Sequence, residues 1–432
     1  MTSWIEISQE RLTANFRAIT DAVGAQTSVL AVVKANAYGH GIELCSPALA
    51  RAGAPWLGVT GAIEGAQVRR ALVEAGIAHK DQPAILVMCG FLPEDVETIA
   101  ELALTPVVWA PEQIGWLQGS GLAVHVEVDT GMARQGVHPG EELEALLGEL
   151  TAAGLALDGV MTHFCAAEVA HSELTQTQQR RFEAAIAQVR RQGLAPKWVH
   201  AGSSSSVDNP AQSSPWLVDL AKSVGACAMV RCGLALYGYC APIEYSHASC
   251  TEKKSCHSDT ERSEGEESPH FVLGATPYNL SENTPEGADA SSVPSKLRPA
   301  LKTVMTWKTR VLSLRHLAAG ETVGYNATFT APSPMRLAML PVGYADGLRR
   351  ELSGTDERPG GWVILQSHDG SLHQAAIVGR VSMNLTMVDV TDLPGVRIGD
   401  EVVLLGDGIT ADDHARLAQT ISYEILCGVR PG

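Results

Sequence analysis

With 432 residues, 45% of them hydrophobic and 19% charged, the chain has a soluble globular balance and enough length for two ordinary cores. A formal net charge of −16 without any basic stripe excludes a nucleic-acid binder that draws its affinity from clustered Lys and Arg. No apolar run reaches membrane-spanning length, residues 1–6 carry no signal-peptide pattern, and nine cysteines, an odd number, suit free thiols, so a cytoplasmic enzyme is expected.

In chain order, a first short strand is expected at 4–7, within about 1–8, as an added strand of the C-terminal β-domain. The apolar and β-branched run 29–33 reads as a buried strand that stops at Lys34 and a small, glycine-containing turn, Ala35-Asn36-Ala37-Tyr38-Gly39-His40-Gly41. Two readings stand for Lys34. It is a snorkelling surface lysine at a strand end, or its partly desolvated amine reacts with a carbonyl while Tyr38 and the Gly39 and Gly41 amides take a phosphate. Further strand-like runs follow at about 57–60, 84–89, 106–109, 123–128, 158–163, 197–201 and 228–232, most separated by helical patterns such as 62–75 and 172–192. The stretch 207–223 gives no clear helix.

Eight strands alternating with helices predict a closed, TIM-like (β/α)8 barrel, whose catalytic groups gather at the C-terminal strand ends. Lys34, Asp129, His163, the run from Gly202 to Ser206, Arg231 and Gly233 fall at those ends. The barrel is expected to occupy 1–242. From 243 to 296 the chain is rich in Ser, Glu, Pro and Gly with little apolar periodicity, which reads as a disordered insertion. Its Cys250, Cys256, His257 and His270 lack metal-site spacing, so no metal is expected. Beyond it, 297–432 reads as a mostly-β C-terminal domain, with runs at 303–314, 335–341, 362–366, 375–378, 385–390 and 401–405 and a closing helix at 411–426.

Seven motifs in order are similar to those of the alanine racemase family. They are Val33-Lys34-Ala35-Asn36-Ala37-Tyr38-Gly39-His40-Gly41, Asp129-Thr130-Gly131-Met132-Ala133-Arg134, Met161-Thr162-His163-Phe164, Val323-Gly324-Tyr325-Asn326-Ala327-Thr328, Gly343-Tyr344-Ala345-Asp346-Gly347, Gly379-Arg380-Val381-Ser382-Met383 and Ser422-Tyr423-Glu424. The resemblance spans nearly the whole chain apart from 243–296. It implies a homodimeric fold-type III enzyme that uses pyridoxal 5'-phosphate to turn L-alanine into D-alanine for peptidoglycan. It implies Lys34 as the lysine joined to the cofactor and the base on one face, and Tyr325, from the other subunit, as the base on the opposite face. Arg231 matches the arginine facing the pyridine nitrogen, and His163 the histidine that holds it. Tyr38, Ser204, Tyr423, Gly233 and Leu234 match phosphate contacts. Arg134 matches a group near the cofactor's phenolic oxygen, while Tyr344, Met383 and Arg380 match substrate-access and substrate-carboxylate positions.

These residue types suit the chemistry. The Cα proton of an amino acid is too weakly acidic for any side chain, so an electron sink and a base on each face are needed. Three departures stand out: Glu127 where the family usually has a carbamylated lysine, Asn384 where an aspartate follows the motif methionine, and Cys232 where proline is common. Glutamate offers a carboxylate without CO2, to orient Arg134, unless it simply alternates outward on its strand. Other readings are a racemase of broader specificity, a non-catalytic pyridoxal-phosphate-binding barrel, disfavoured by the β-domain with Tyr325, and a related decarboxylase, disfavoured by Arg231.

Overall fold

The computed structural model describes residues 3–212, 214–245, 295–366 and 370–431. Most of the expected insertion therefore lies outside the described residues, including the four Cys and His positions considered for a metal.

The strands are β1 (Ser3–Ile7), β2 (Thr27–Val32), β3 (Trp56–Val59), β4 (Ala84–Val87), β5 (Thr105–Val108), β6 (Ala123–Glu127), β7 (Ala156–Met161), β8 (Trp198–His200) and β9 (Cys227–Cys232). Strands β2 to β9 pair in parallel and close into an eight-stranded barrel, with β9 beside both β8 and β2. Strands of this kind are covered on both sides, so they read as unbroken apolar runs rather than alternating ones. Leu30, Leu57, Ile85 and Leu86 are fully buried, each worth about 1.5–3 kcal/mol relative to exposure.

The first helix, α1 (Gln9–Val23), follows β1, and seven more link successive barrel strands: α2 (Ile42–Arg51), α3 (Ala62–Glu74), α4 (Val96–Glu101), α5 (Pro111–Leu117), α6 (Glu141–Ala152), α7 (Glu173–Arg191) and α8 (Ser214–Lys222). Helix α7 shows why such segments are helical. Ser172 caps it by accepting from Thr175 N at 3.3 Å, Gln178, Phe182, Ala185 and Val189 bury one face at helical spacing, and Arg190 and Arg191 meet the negative end of the dipole. Helix α8 corrects the reading of 207–223. A short helical turn at Ser204–Asp208 and then α8 fill the last crossover, hidden in the sequence by Pro210, Pro215 and a serine-rich run.

The second domain holds β10 (Met305–Arg310), β11 (Ser313–Leu317), β12 (Met335–Leu340), β13 (Trp362–Gln366), β14 (Leu372–Ala376), β15 (Thr386–Asp389) and β16 (Glu401–Leu405), then α9 (Ala411–Ala418) and α10 (Ser422–Gly428). The order β1-β10-β16-β13-β14 forms one antiparallel sheet and β11-β12-β15 another. The N-terminal strand pairs into the second domain's sheet: Ser3 pairs with Thr309 and Ile7 with Met305. The run read as one strand at 303–314 is two strands belonging to different sheets. The closing helix is also two, broken at Gln419, whose φ of 53° is left-handed.

The domains are tied at α1. Buried Asn15 donates to Leu236 O at 2.9 Å and Lys302 O at 2.8 Å while accepting from Lys302 N, and Arg11 forks onto Asp407 at 3.0 and 2.8 Å. This docking sets α10 over the C-terminal mouth of the barrel, where Tyr423 meets Tyr38 with ring centroids 5.9 Å apart.

Candidate active site

A cavity of about 270 Å³ opens at the C-terminal ends of the barrel strands. It is lined by Lys34, Tyr38, Arg134, His163, Ser204, Arg231, Gly233, Leu234 and Tyr423, so every residue assigned to the cofactor falls in one place.

Lys34 stands two residues past β2, at the head of an unusual turn. Ala35, Asn36, Ala37 and Tyr38 have φ of 51°, 53°, 54° and 54°, a left-handed run without glycine. Such conformations cost roughly 1–2 kcal/mol per residue and persist only where surroundings impose them. Here Glu64 on α3 accepts from Asn36 N at 3.2 Å and from Thr60 N at 2.8 Å, while Asn36 Oδ1 accepts from Ile42 N at 2.9 Å. The turn is thereby pinned to the end of β3 and the start of α2. It presents Lys34 and the Tyr38 hydroxyl to the same cavity.

At one end of the cavity the donors are neutral. Ser204 Oγ accepts from Gly233 N at 3.1 Å and Ala235 N at 3.2 Å, leaving its own proton to give. A Cβ at position 233 would fall 2.2 Å from Tyr38 Oη, so only glycine lets the tyrosine hydroxyl approach this backbone. Burial pushes the Tyr423 phenol up to about 12 and the Tyr38 phenol higher still, and both remain hydroxyl donors at neutral pH.

At the other end lies Arg231, buried to 6% exposure. Its Nη2 donates to Thr162 O at 2.6 Å and to His163 Nδ1 at 3.1 Å, and its Nη1 donates to His200 Nδ1 at 3.2 Å. Burial, followed by the fields of Arg231, Arg134 and Lys34, lowers His163 to about 3, so the ring is a neutral acceptor. Burial lowers Arg231 to about 10, opposed by Glu127, and it stays charged. The sequence around His200 carries no motif. Its only signal there was its place at a strand end.

Glu127 is 2% exposed and lines the cavity, so it does not alternate outward. Its carboxylate accepts a hydrogen bond from Gln135 Nε2, which also donates to Met88 O at 2.9 Å. Arg134 acts on Glu127 through its field, and the expected fork between these two residues is replaced by the bond to Gln135. Burial raises the Glu127 carboxyl against the Gln135 bond and the fields of Arg231 and Arg134. Arg134 is placed by Asp129, whose Oδ1 accepts from Gly131, Met132 and Ala133 N at 2.9, 2.9 and 3.1 Å. Burial would raise the Asp129 carboxyl, but these three amides hold it below its usual value.

Tyr325, Met383 and Tyr344 do not reach this cavity within one chain. Tyr325 and Met383 are 67% and 56% exposed and share a surface hollow with Ser382, Asn384 and Leu385. Arg380 is half-buried beside them, its backbone N 3.1 Å from where a Cβ on Gly324 would lie. Tyr344 lines a separate hollow with Arg350 and Glu424, the latter bound by Arg349 Nη1 at 2.8 Å.

Family comparison agrees with this geometry. The sequence model described as alanine racemase, N-terminal domain, matches residues 7–241, and that described as alanine racemase, C-terminal domain, matches 304–432. The chain belongs to the alanine racemase family. The alanine racemase of Symbiobacterium thermophilum is 32% identical over 99% of this chain and 94% of its own length, and that of Methylacidiphilum infernorum 30% identical over 99% and 90%. Among solved structures, the alanine racemase of Streptomyces coelicolor is 26% identical with a TM-score of 0.74, covering 99% of this chain and 96% of its own. That of Bartonella henselae, with covalently bound pyridoxal phosphate, is 25% identical with a TM-score of 0.71, covering 100% and 98%. As an alanine racemase, the chain is an isomerase producing D-alanine, consistent with supply to peptidoglycan.

Proposed function

We propose that the cavity holds pyridoxal 5'-phosphate and the amino group of alanine, and that Lys34 and Tyr325 are the two bases of racemisation, brought together in a cytoplasmic homodimer. The observation that carries this reading is the convergence of Lys34, Tyr38, Ser204, Arg231 and Tyr423 on one cavity from distant parts of the chain. The donor set fits the cofactor. Tyr38, Ser204, Tyr423 and the Leu234 amide, approached closely because Gly233 has no side chain, suit a phosphate dianion, and Arg231 suits a ring nitrogen at the far end.

When bound, the cofactor supplies the electron sink that makes the Cα proton removable. Lys34 Nζ takes or returns that proton on one face, and Tyr325 Oη does so on the other. Arg231 can only donate, so it leaves the ring nitrogen without a proton and restrains the sink, favouring proton return over side reactions. Arg134 pairs with an anionic oxygen of cofactor or substrate. Tyr325, Met383, Leu385 and Tyr344 form an exposed apolar and aromatic surface, the kind a partner subunit covers. We also propose domain limits of 1–242 and 297–432, with 3–7 belonging structurally to the second.

The test combines purified protein, pyridoxal phosphate and L-alanine. D-alanine should form, with slower turnover of bulkier amino acids. Lys34→Ala should lose both the protein-linked absorption of the cofactor and activity. A cofactor that remains covalently held in Lys34→Ala contradicts the assignment.

A further inference from the structure

Beneath the cavity, polar side chains run in single file through the barrel. Arg231 Nη1 donates to His200 Nδ1, His200 Nε2 lies 2.8 Å from His125 Nδ1, and His125 Nε2 lies 3.4 Å from Asp158 Oδ2. Asp158 Oδ1 in turn accepts from Lys197 Nζ at 2.8 Å. His125 and His200 have no exposed surface, whereas the Lys197 side chain is 79% exposed at the opposite mouth.

Only one arrangement of protons satisfies this file. A guanidinium has no acceptor, so His200 Nδ1 must lack a proton and its Nε2 must carry one. That proton points at His125 Nδ1, which must therefore accept, leaving the His125 proton on Nε2 and directed at the Asp158 carboxylate. The reverse tautomers would set donor against donor at Arg231, an unmade buried bond costing about 1–3 kcal/mol. Burial lowers both rings, in keeping with neutral imidazoles.

The sequence builds the file with two local devices. Val124 pairs with Leu157 and His125 with Gly159, so Asp158 is the extra residue of a bulge, a feature that re-aims side chains. A Cβ at Gly159 would lie 2.6 Å from His125 Cε1 and Nδ1, so glycine makes room for the ring. Trp56 covers its side, with centroids 5.2 Å apart.

We propose that Asp158 is a positioning residue for racemisation: from the far mouth of the barrel it accepts the His125 hydrogen bond, favours the same tautomers of His125 and His200 that Arg231 requires, and so helps hold the Arg231 guanidinium in orientation at the cavity. The proton positions rest on geometry alone, while their bearing on turnover rests on the role given above to Arg231.

The test reads the protonated nitrogen of each ring by long-range proton–nitrogen NMR on histidine-labelled protein, with and without pyridoxal phosphate. Both rings of the parent should be neutral with the proton on Nε2. In Asp158→Asn, His125 and His200 should both acquire Nδ1-protonated populations, with kcat lowered about tenfold, the rate equivalent of one hydrogen bond, and KM for alanine nearly unchanged. An Nδ1 proton on either ring of the parent overturns the proposal without need of any variant. So do unmoved tautomers in Asp158→Asn. Tautomers that move while kcat does not overturn the positioning role alone, since the place of Arg231 rests on the cavity geometry and the cofactor test above.

Discussion

Glu127 shows how one side chain can be chemically legible in sequence and still be placed differently by the fold. Buried between Gln135 and the fields of two arginines, it places a carboxyl group at the cavity without CO2, although burial raises its pKa. Racemase activity should therefore be indifferent to added bicarbonate. Glu127→Gln should raise KM for alanine by roughly tenfold, because the charge-assisted bond to Gln135 and the compensation of Arg134 are lost together. Steady-state kinetics at matched cofactor loading measure this, and unchanged KM would return Glu127 to a packing role. The buried histidines lead to a second prediction. Burial lowers His40 and His414 to about 4 and His163 to about 3, from an ordinary 6.5. Their folded values lie below the unfolded one, so the unfolded chain binds more protons between them. Stability is fully present above about pH 6.5 and is lost as pH falls toward 4 and then 3. The urea midpoint should drop between about pH 7 and about pH 5, before ordinary carboxylates titrate, and a flat midpoint there would count against neutral burial. Site residues flanked by a motif were legible in the sequence, as Lys34, Arg134 and Tyr423 were. His200, His125 and Asp158 were not assigned roles because their partners sit on three strands with no local spacing.

Among the elements, the turn after β2 departs furthest from ordinary backbone preference. Four non-glycine residues in left-handed conformation hold Lys34 and Tyr38 on one side, and Glu64 pins them through two amides. Removing that clamp should release the turn before it unfolds the barrel. Glu64→Ala is expected to weaken cofactor retention more than tenfold while shifting Tm by only a few degrees, read by dialysis against cofactor-free buffer and by thermal melting. A large loss of Tm with cofactor affinity intact would make Glu64 a structural residue alone. This conformation had no signature in Ala-Asn-Ala-Tyr, which reads as an ordinary turn. The barrel strands were legible because burial on both faces writes continuous apolar runs. Helix α8 was not, because its start is obscured by proline and serine. The single run at 303–314 misled for a different reason: β10 and β11 both mix apolar with polar residues in strand-like fashion, and the chain changes sheet at Val311 and Leu312 without glycine or proline to mark it.

For the whole molecule, we propose that a complete site needs two chains. One chain carries Lys34 in its barrel cavity and Tyr325 on an exposed surface that shares no lining residue with that cavity. Fold class was legible at this scale because alternating strands and helices followed by β-runs admit few architectures, whereas the pairing of β1 with β10 in the second domain's sheet links segments about 300 residues apart and leaves no local pattern. The pairing of chains was implied by resemblance, and the exposure of Tyr325 and Met383 now supports it physically. The most direct measurement mixes two inactive variants, Lys34→Ala and Tyr325→Phe, under conditions that exchange subunits. A heterodimer then holds one site with both substitutions and one with neither. Random reassortment of equal amounts makes about half of all dimers mixed, so activity should return to roughly a quarter of the parent value per site. Heterodimers verified by mass that show no recovered racemisation would contradict the shared site.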